Sequence, residues 1–224
     1  MLILTIETCT DTSTLGLVRD GVVLVEAAFP SRYTLAQRMI VRLEWLLAEA
    51  GLQREELEAI AVSLGPGSFT GVRIGAAAAK TLAQFQGIPL LGIDTLEALA
   101  YPFREVDGVL LAPLVNARRK QAYLALFRGE NHALRRVTED LLLSADPFTE
   151  LLAHHQAGST RVLFIGQIDG LPAEFQSNAP CQCSTLRSLV TSHALAALAE
   201  ERLAHGSYDD PMTLAPIYLR SAAE

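Results

Sequence analysis

A glycine-rich segment is the most distinctive part of the sequence with potential for chemistry. Residues 64–75 read LGPGSFTGVRIG, between a predicted strand and a predicted helix. Free backbone N–H groups at such a helix start suit an anion. The spacing fits neither phosphate-binding template, because neither Gly65 nor Gly67 has a glycine five residues on, and Thr70 stands where the third Rossmann glycine belongs. Anion binding and a tight structural turn, with Ser68 or Thr70 capping the helix, both stay open.

Metal and nucleophile chemistry have less support. The five histidines are His132, His154, His155, His193 and His205. None of them forms a pair with three intervening residues on a predicted helix, which is the spacing of two metal ligands. One residue separates Cys181 from Cys183, which does not match a zinc knuckle, and an odd total of three cysteines does not indicate a disulfide framework. Ser68 sits between Gly67 and Phe69, which does not match the Gly-x-Ser-x-Gly pattern of a nucleophile elbow. We therefore predict no metal site and no catalytic triad.

Hydrophobic periodicity predicts the elements that position these residues. The first half has predicted strands at 2–8, 14–19, 22–29, 59–64 and 88–93, with a hairpin at Asp20-Gly21 and helices at 34–50 and 70–86. The second half repeats this order less clearly, with strands at 109–115, 122–127, 133–137 and 162–165, an irregular segment at 166–185, and helices at 147–155 and 186–204. Two βββαβα halves, 1–105 and 106–224, predict an α/β protein with a duplicated ribonuclease-H-like fold, as in actin-like ATPases.

An acidic residue ends the first predicted strand, where actin-like kinases place an acid before a phosphate-binding hairpin. Here the acid is Glu7, but the following hairpin contains no glycine, so its backbone cannot approach a phosphate as closely. The corresponding strand of the second half ends in Asn116 instead of aspartate, which removes a magnesium ligand. The residues of this degenerate nucleotide site are Glu7, Thr8, Thr10, Gly65, Gly67, Ser68 and Asn116. Alternatively, these side chains only satisfy turn and strand-end hydrogen bonds.

The first two predicted helices each have an apolar second face. On the first, the core stripe is Leu35, Met39, Leu43, Leu46, Leu47 and Ala50, and the opposite face is Thr34, Val41, Trp45 and Ala48. On the second, the predicted core stripe is Ile74, Ala78, Leu82 and Phe85, and the opposite ridge is Val72, Ala76, Ala79 and Ala83. Small residues allow another helix to approach closely, so both second faces predict a partner interface, with Arg38, Arg42 and Arg73 at its rim. Alternatively, alanine is simply a good helix former and Trp45 half-covers its own helix.

Composition excludes several classes of protein. Of 224 residues, 50% are hydrophobic and 19% charged, which disfavours disorder and coiled coils. The 18 basic and 25 acidic residues give a net charge of −7, so we do not expect this chain alone to bind nucleic acid. No uncharged stretch is long enough for a membrane helix. The N-terminus lacks a basic region before an apolar run, so we expect a cytoplasmic protein.

Four segments, 3–13, 64–75, 116–123 and 216–220, together resemble the TsaB (YeaZ) family, bacterial proteins that help to make threonylcarbamoyladenosine in tRNA. The resemblance implies the duplicated actin-like fold and a direct partner, the paralogue TsaD. TsaD transfers a threonylcarbamoyl group to the adenosine beside the anticodon in tRNAs reading codons that begin with A. The resemblance also implies that the ATPase TsaE belongs to the complex, that TsaC acts in the pathway, and that tRNA is reached through the complex.

The same resemblance implies a pseudoenzyme. TsaD carries a metal-binding histidine pair on a segment where this sequence has Thr95 and Leu99, neither of which is a useful iron or zinc ligand. We therefore predict a non-catalytic scaffold that binds TsaD through its first two helices, forms a homodimer in isolation, and binds no cofactor alone, with ATP or ADP at the complex interface left open. Replacing Ala76 with a bulky charged residue should abolish TsaD binding without unfolding the chain. The alternatives are an active ATP-dependent kinase or ATPase using Glu7, Thr8 and the glycine-rich turn, and a metallopeptidase.

Overall fold

The computed structural model of the chain describes residues 1–31, 35–155, 161–168, 170–179 and 182–220. Thr34 and Cys181 lie outside these ranges. The contacts divide the chain into two compact units. The first is Met1–Ala98 with Val190–Ile217, and the second is Leu99–Leu189 with Tyr218–Glu224, of which the last segment is described to residue 220.

The first unit contains a five-stranded sheet. Its strands are β1 (Leu2–Glu7), β2 (Thr12–Arg19), β3 (Val22–Pro30), β4 (Ala59–Ser63) and β5 (Leu90–Ile93), in the spatial order β3-β2-β1-β4-β5. β2 is antiparallel to both β1 and β3, whereas β4 is parallel to β1 and β5 to β4. Helices α1 (Leu35–Glu49) and α2 (Phe69–Gln86) pack against this sheet, and α3 (Thr95–Ala100) follows β5.

The second unit repeats this topology with interrupted strands. Its elements are β6 (Val109–Arg118), β7 (Gln121–Leu124), β8 (Phe127–Glu130), β9 (Ala133–Arg136), β10 (Leu141–Leu143), α4 (Ala145–His155), β11 (Arg161–Gln167), α5 (Glu174–Ser177) and β12 (Gln182–Arg187). The order is β10-β7-β6-β11-β12, and β8 pairs with β6 and β9. The second strand is thus split into β7 and β8, and the third into β9 and β10. Both units have the order third-second-first-fourth-fifth, which confirms the predicted duplicated ribonuclease-H-like fold.

Periodicity placed the first-unit core correctly on α1. Leu35, Met39, Leu43 and Leu46 are buried in the hydrophobic core of the first unit, in one cluster with Leu2, Leu4 and Ile6 of β1, as the 3.6-residue stripe predicts. The left-handed backbone of Asp20 and Gly21, with φ of 50° and 76°, makes the predicted tight hairpin between β2 and β3. In the second unit the rings of Phe148, Phe164 and Phe175 form the centre of a separate core.

Three predictions for the second half require correction. The segment predicted as irregular contains α5 and most of β12, and Phe175 of α5 is fully buried. The last helix, α6 (Ser192–Ala204), begins six residues later than predicted, because Thr191 caps it by accepting a hydrogen bond from the Ala194 N–H. The division into 1–105 and 106–224 also differs from the observed units, because α6 packs against the first sheet. Among the described residues, no helix is long and apolar enough to cross a membrane.

Candidate functional site

Glu7, the acidic residue that ends β1, forms hydrogen bonds with the loop that follows it. Glu7 is fully buried, and its Oε1 accepts hydrogen bonds from the backbone N–H of Cys9, at 2.6 Å, and of Thr10, at 2.9 Å. The Thr10 hydroxyl lies 3.1 Å from Glu7 Oε2 and 2.9 Å from the Thr12 carbonyl oxygen. The carboxyl therefore organises the loop between β1 and β2, the role that the structural alternative assigned to it.

Burial dominates the protonation of this carboxyl. Loss of hydration raises the pKa of Glu7 to about 7, although the N–H groups of Cys9 and Thr10, the Thr10 hydroxyl and the Thr14 backbone act in the opposite direction. Burial, followed by the nearby Glu7 carboxyl, raises the pKa of the Cys9 thiol to about 12. Cys9 Sγ lies 3.3 Å from the Ser63 carbonyl oxygen, so the thiol is a neutral buried group.

Backbone N–H groups at the start of α2 donate hydrogen bonds to other atoms of the protein. Ser68 donates its N–H to the Cys9 carbonyl oxygen at 2.6 Å, and its Oγ accepts from the Gly71 N–H at 3.2 Å. The Val72 N–H donates to the Ser68 carbonyl oxygen at 2.9 Å. Three donors that the sequence offered for an anion are thereby occupied. Gly65 belongs to the same turn and is buried.

The glycines of this segment allow α2 to lie close to the end of β1. A Cβ atom added at Gly71 would overlap the Thr8 carbonyl oxygen, one at Gly75 would overlap the Thr8 hydroxyl, and one at Gly67 would overlap the Cys9 carbonyl oxygen. The Thr8 hydroxyl also donates to the Gly71 carbonyl oxygen at 2.7 Å. The space that a phosphate would need beside Thr8 is therefore filled by the chain itself.

The corresponding residue of the second unit has a local structural contact. Asn116 lies near the end of β6, where a bulge interrupts pairing with β7, and its Oδ1 accepts a hydrogen bond from the Arg118 N–H at 2.8 Å. Among the described residues, no three histidine, cysteine, aspartate or glutamate side chains are grouped closely enough to hold a metal ion. Thr95 and Leu99, the two positions that the family resemblance aligns with a histidine pair, are both buried.

The second face of α1 is exposed. We call Ile40, Val41, Trp45 and Ala48 the α1 surface. Val41 is 64% exposed and Trp45 46% exposed. Ile40, which was not among the predicted interface residues, is also exposed. Ile40 lies at the edge of the Leu stripe, where periodicity alone does not decide between core and solvent.

The basic residues beside the α1 surface differ in their environments. Arg38 is exposed, whereas the Arg42 guanidinium lies 4.1 Å from the Phe29 ring centroid. Arg42 Nη1 is buried and has no hydrogen-bond partner among the residues that the structure describes. Partial burial and then the charge of Arg38 lower the pKa of Arg42. On α2, the Arg73 guanidinium is exposed and lies 3.7 Å from the Phe69 ring centroid.

The predicted faces of α2 were wrong in orientation. The ridge assigned to a partner is buried in the first unit, and its residues are Val72, Ala76, Ala79 and Ala83. Phe85, assigned to the core, is instead 74% exposed, and Ile74, Ala78 and Leu82 are partly buried. The physical reason is the close approach at Gly71 and Gly75, which brings the small-residue ridge against the sheet. Of the predicted interface, α1 contributes the exposed apolar part and α2 contributes Arg73.

Comparisons with known proteins agree with this fold. Residues 32–206 match the family model described as TsaD, tRNA N6-adenosine threonylcarbamoyltransferase. The tRNA threonylcarbamoyladenosine biosynthesis protein TsaB of Bacillus subtilis is 35% identical over 166 residues, which cover 74% of this chain and 71% of that protein.

Two solved structures extend the comparison. A Pseudomonas aeruginosa protein described as similar to the peptidase YeaZ superposes with a TM-score of 0.80 at 24% identity, covering 98% of this chain and 99% of its own. A ROK hexokinase from Thermus thermophilus shares the fold, with a TM-score of 0.52 at 12% identity, covering 92% of this chain and 100% of its own.

The two similar units and the family match define an actin-like protein related to the tRNA threonylcarbamoyltransferases. Within that class the chain belongs to the TsaB (YeaZ) family. It acts in the biosynthesis of N6-threonylcarbamoyladenosine in tRNA.

Proposed function

We propose that this chain is a non-catalytic scaffold subunit, which binds TsaD and supports its threonylcarbamoylation of the adenosine next to the anticodon. The contrast between an enclosed Glu7 and an exposed α1 surface carries this proposal. The residue expected to do chemistry has no access to a ligand, whereas an apolar helix face lies open to solvent. A protein arranged in this way is suited to binding another protein rather than to turnover.

The non-catalytic part of the proposal is supported by the Glu7 loop. A magnesium or nucleotide ligand needs free carboxylate oxygens, but the oxygens of Glu7 are directed at Cys9 and Thr10. No observation among the described residues favours the alternative of an active kinase or ATPase. The metallopeptidase alternative would need a metal site elsewhere than at Thr95 and Leu99.

The α1 surface has the composition of an interface core. Tryptophan and arginine are enriched among residues whose truncation costs most binding energy, and Trp45 lies between the exposed Val41 and Ala48 on one helix face. The unpartnered Nη1 of Arg42 would be satisfied by a carboxylate or carbonyl oxygen of the partner. Arg38 and Arg73 would lie at the polar rim. This revised interface omits the buried ridge of α2.

The remaining partners follow from the same proposal. In the absence of TsaD, the α1 surface would pair two copies of this chain around a twofold axis. TsaE would join the complex, TsaC would act in the pathway, and tRNA would be reached through the complex in the cytoplasm. Any ATP or ADP held by the complex would lie at an interface between its subunits.

Substitutions on the α1 surface test the interface. Trp45→Glu and Val41→Glu place a charge in the proposed apolar contact, and each should weaken TsaD binding by about 2 kcal/mol or more, which is about thirtyfold. Val106→Glu is the matched control, because Val106 is also an exposed valine but lies in the second unit. Titration calorimetry and co-elution on size exclusion measure the effect. Unchanged TsaD binding by Trp45→Glu and Val41→Glu would refute the interface.

Reconstitution tests the function itself. Modification of a tRNA transcript by TsaC, TsaD and TsaE should require this chain and should be impaired by Trp45→Glu. Modification that proceeds equally well without the chain would overturn the proposed role.

A further inference from the structure

The turn between β6 and β7 concentrates positive charge in an acidic chain. Arg118, Arg119 and Lys120 are consecutive and exposed, and we call them the basic turn. The sequence contains no aspartate or glutamate from 108 to 129, although the whole chain has 25 acidic residues and a net charge of −7. We propose that the basic turn binds phosphates of the tRNA backbone. This inference rests on the proposed function and gives the chain an RNA contact of its own within the complex.

The backbone of the basic turn is unusual for these residue types. The φ angles are 64° at Arg118, 51° at Arg119 and 61° at Lys120, all in the left-handed region. A two-residue hairpin turn with positive φ is normally made by Asn-Gly. In this conformation the Cβ atom crowds the following carbonyl oxygen, so side chains other than glycine are strained there. The connection between β6 and β7 could be made at lower cost by Asn-Gly, so long cationic side chains at this site indicate a role beyond chain reversal.

Neighbouring groups hold the basic turn in place. Asn116 Oδ1 accepts the Arg118 N–H at 2.8 Å. The Arg220 guanidinium donates to the Ala117 carbonyl oxygen at 3.0 Å and to Gln121 Oε1 at 2.6 Å. Both of these acceptors are neutral and do not cancel the charge of Arg220. Arg220 therefore adds a fourth positive charge to the three of the basic turn. A fixed loop loses less conformational entropy when it binds a ligand.

The chemistry of these side chains favours a polyanion with regularly spaced phosphates. Arginine presents a planar fork of donors that matches phosphate oxygens, and contacts of this type are independent of base sequence. Of the available polyanions, tRNA is the one on which the family acts. An acidic protein surface is the other ligand with this charge, and the experiment separates the two.

The test uses the full chain in complex with TsaD and a fluorescently labelled tRNA transcript. In the first variant Arg118, Arg119 and Lys120 are all replaced by Asn, which tolerates left-handed backbone. The matched control replaces Arg135, Arg161 and Arg187 by Gln, which removes the same charge from exposed positions of the second unit. Fluorescence anisotropy gives the affinity for tRNA between 50 and 200 mM KCl.

We expect the basic-turn variant alone to bind tRNA more weakly, with the slope of log K against log salt reduced by about 2–3 because three charges are removed. Over that salt range, its affinity deficit would then shrink by about fifteenfold to fortyfold. Equal affinity of variant and unchanged complex, or equal weakening in the control, would overturn the inference. Loss of TsaD co-elution in the variant would also overturn it, because the turn would then be a protein contact. Failure of the proposed function is distinguishable, since the unchanged chain would then fail to bind TsaD.

Discussion

Replacing Glu7 by Gln should remove a specific pH dependence from the stability of the chain. The Thr10 hydroxyl has one proton to donate, yet it lies within hydrogen-bond distance of both Glu7 Oε2 and the Thr12 carbonyl oxygen. When Glu7 is protonated, its O–H can donate to Thr10 while Thr10 donates to Thr12. The amide of Gln can donate in the same way, so Glu7→Gln imitates the neutral carboxyl.

The sign and size follow from the raised pKa. The folded chain binds the Glu7 proton with a pKa of about 7, against 4.5 for the ordinary carboxyl, so between these values it binds more protons than the unfolded chain. Stability therefore falls as pH rises through this window. The loss from full protonation to full ionisation is about 3 kcal/mol, and most of it falls between pH 5 and pH 9. Glu7→Gln should remain free of this loss.

Urea unfolding at pH 5, 7 and 9 measures the effect. The quantity of interest is the change in the free energy of unfolding from pH 5 to pH 9 in the unchanged chain, minus the same change in Glu7→Gln. The exposed Glu44→Gln serves as control, because it removes one carboxyl from the surface of the same unit. A difference near zero for Glu7→Gln, or one of opposite sign, would mean that Glu7 is ionised in the folded chain and that its N–H donors outweigh burial.

Two further predictions concern how closely α2 packs. Ala76→Glu should destabilise the folded chain by about 3 kcal/mol or more, because it buries an unpaired charge. The same substitution at the exposed neighbour, Ala77→Glu, should change the stability by no more than about 0.5 kcal/mol. Thermal unfolding compares the two variants, and equal stability would contradict the burial of Ala76. Gly71→Ala should lower the free energy of unfolding by about 1–3 kcal/mol, because the added Cβ overlaps the Thr8 carbonyl oxygen. Urea unfolding measures the effect, with Thr70→Ala at an exposed position as the control. An unaltered midpoint would show that α2 can move away from β1 without loss of stability.

The first unit could be predicted well because its signals are local. Alternating or continuous hydrophobic runs lie on β1, β2 and β4, Asp20-Gly21 supplies the residues that a tight hairpin needs, and the Leu stripe of α1 spans four turns. The second unit gave weaker signals. All but one of the β12 residues are exposed, so β12 shows no apolar alternation, and Leu186 joined the pattern of the helix that follows. The position of α6 on the first sheet depends on contacts distant in sequence, which periodicity does not contain.

The error on α2 shows what periodicity leaves undecided. A 3.6-residue pattern separated two faces of the helix but did not say which one meets the sheet, and size favoured Ile74, Leu82 and Phe85 as core. A signal was nevertheless available. Gly71, Gly75, Ala79 and Ala83 recur every fourth residue, and glycines in such a row indicate a backbone that must approach closely. The two glycines of that row meet the end of β1 at Thr8, in the same unit.

The loop between β1 and β2 gives Glu7 a structural role that does not depend on nucleotide chemistry. In this chain the carboxyl binds Cys9 and Thr10, and the Cys9 carbonyl oxygen in turn accepts from Ser68 at the start of α2. Removing Glu7 would leave buried N–H groups unpaired, which is costly whether or not a ligand ever binds. Adding a glycine to the hairpin would not by itself open a phosphate site, because α2 would still fill the space beside Thr8. The loop structure therefore accounts for Glu7, whereas folding alone explains neither the exposed α1 surface nor the cationic side chains of the basic turn.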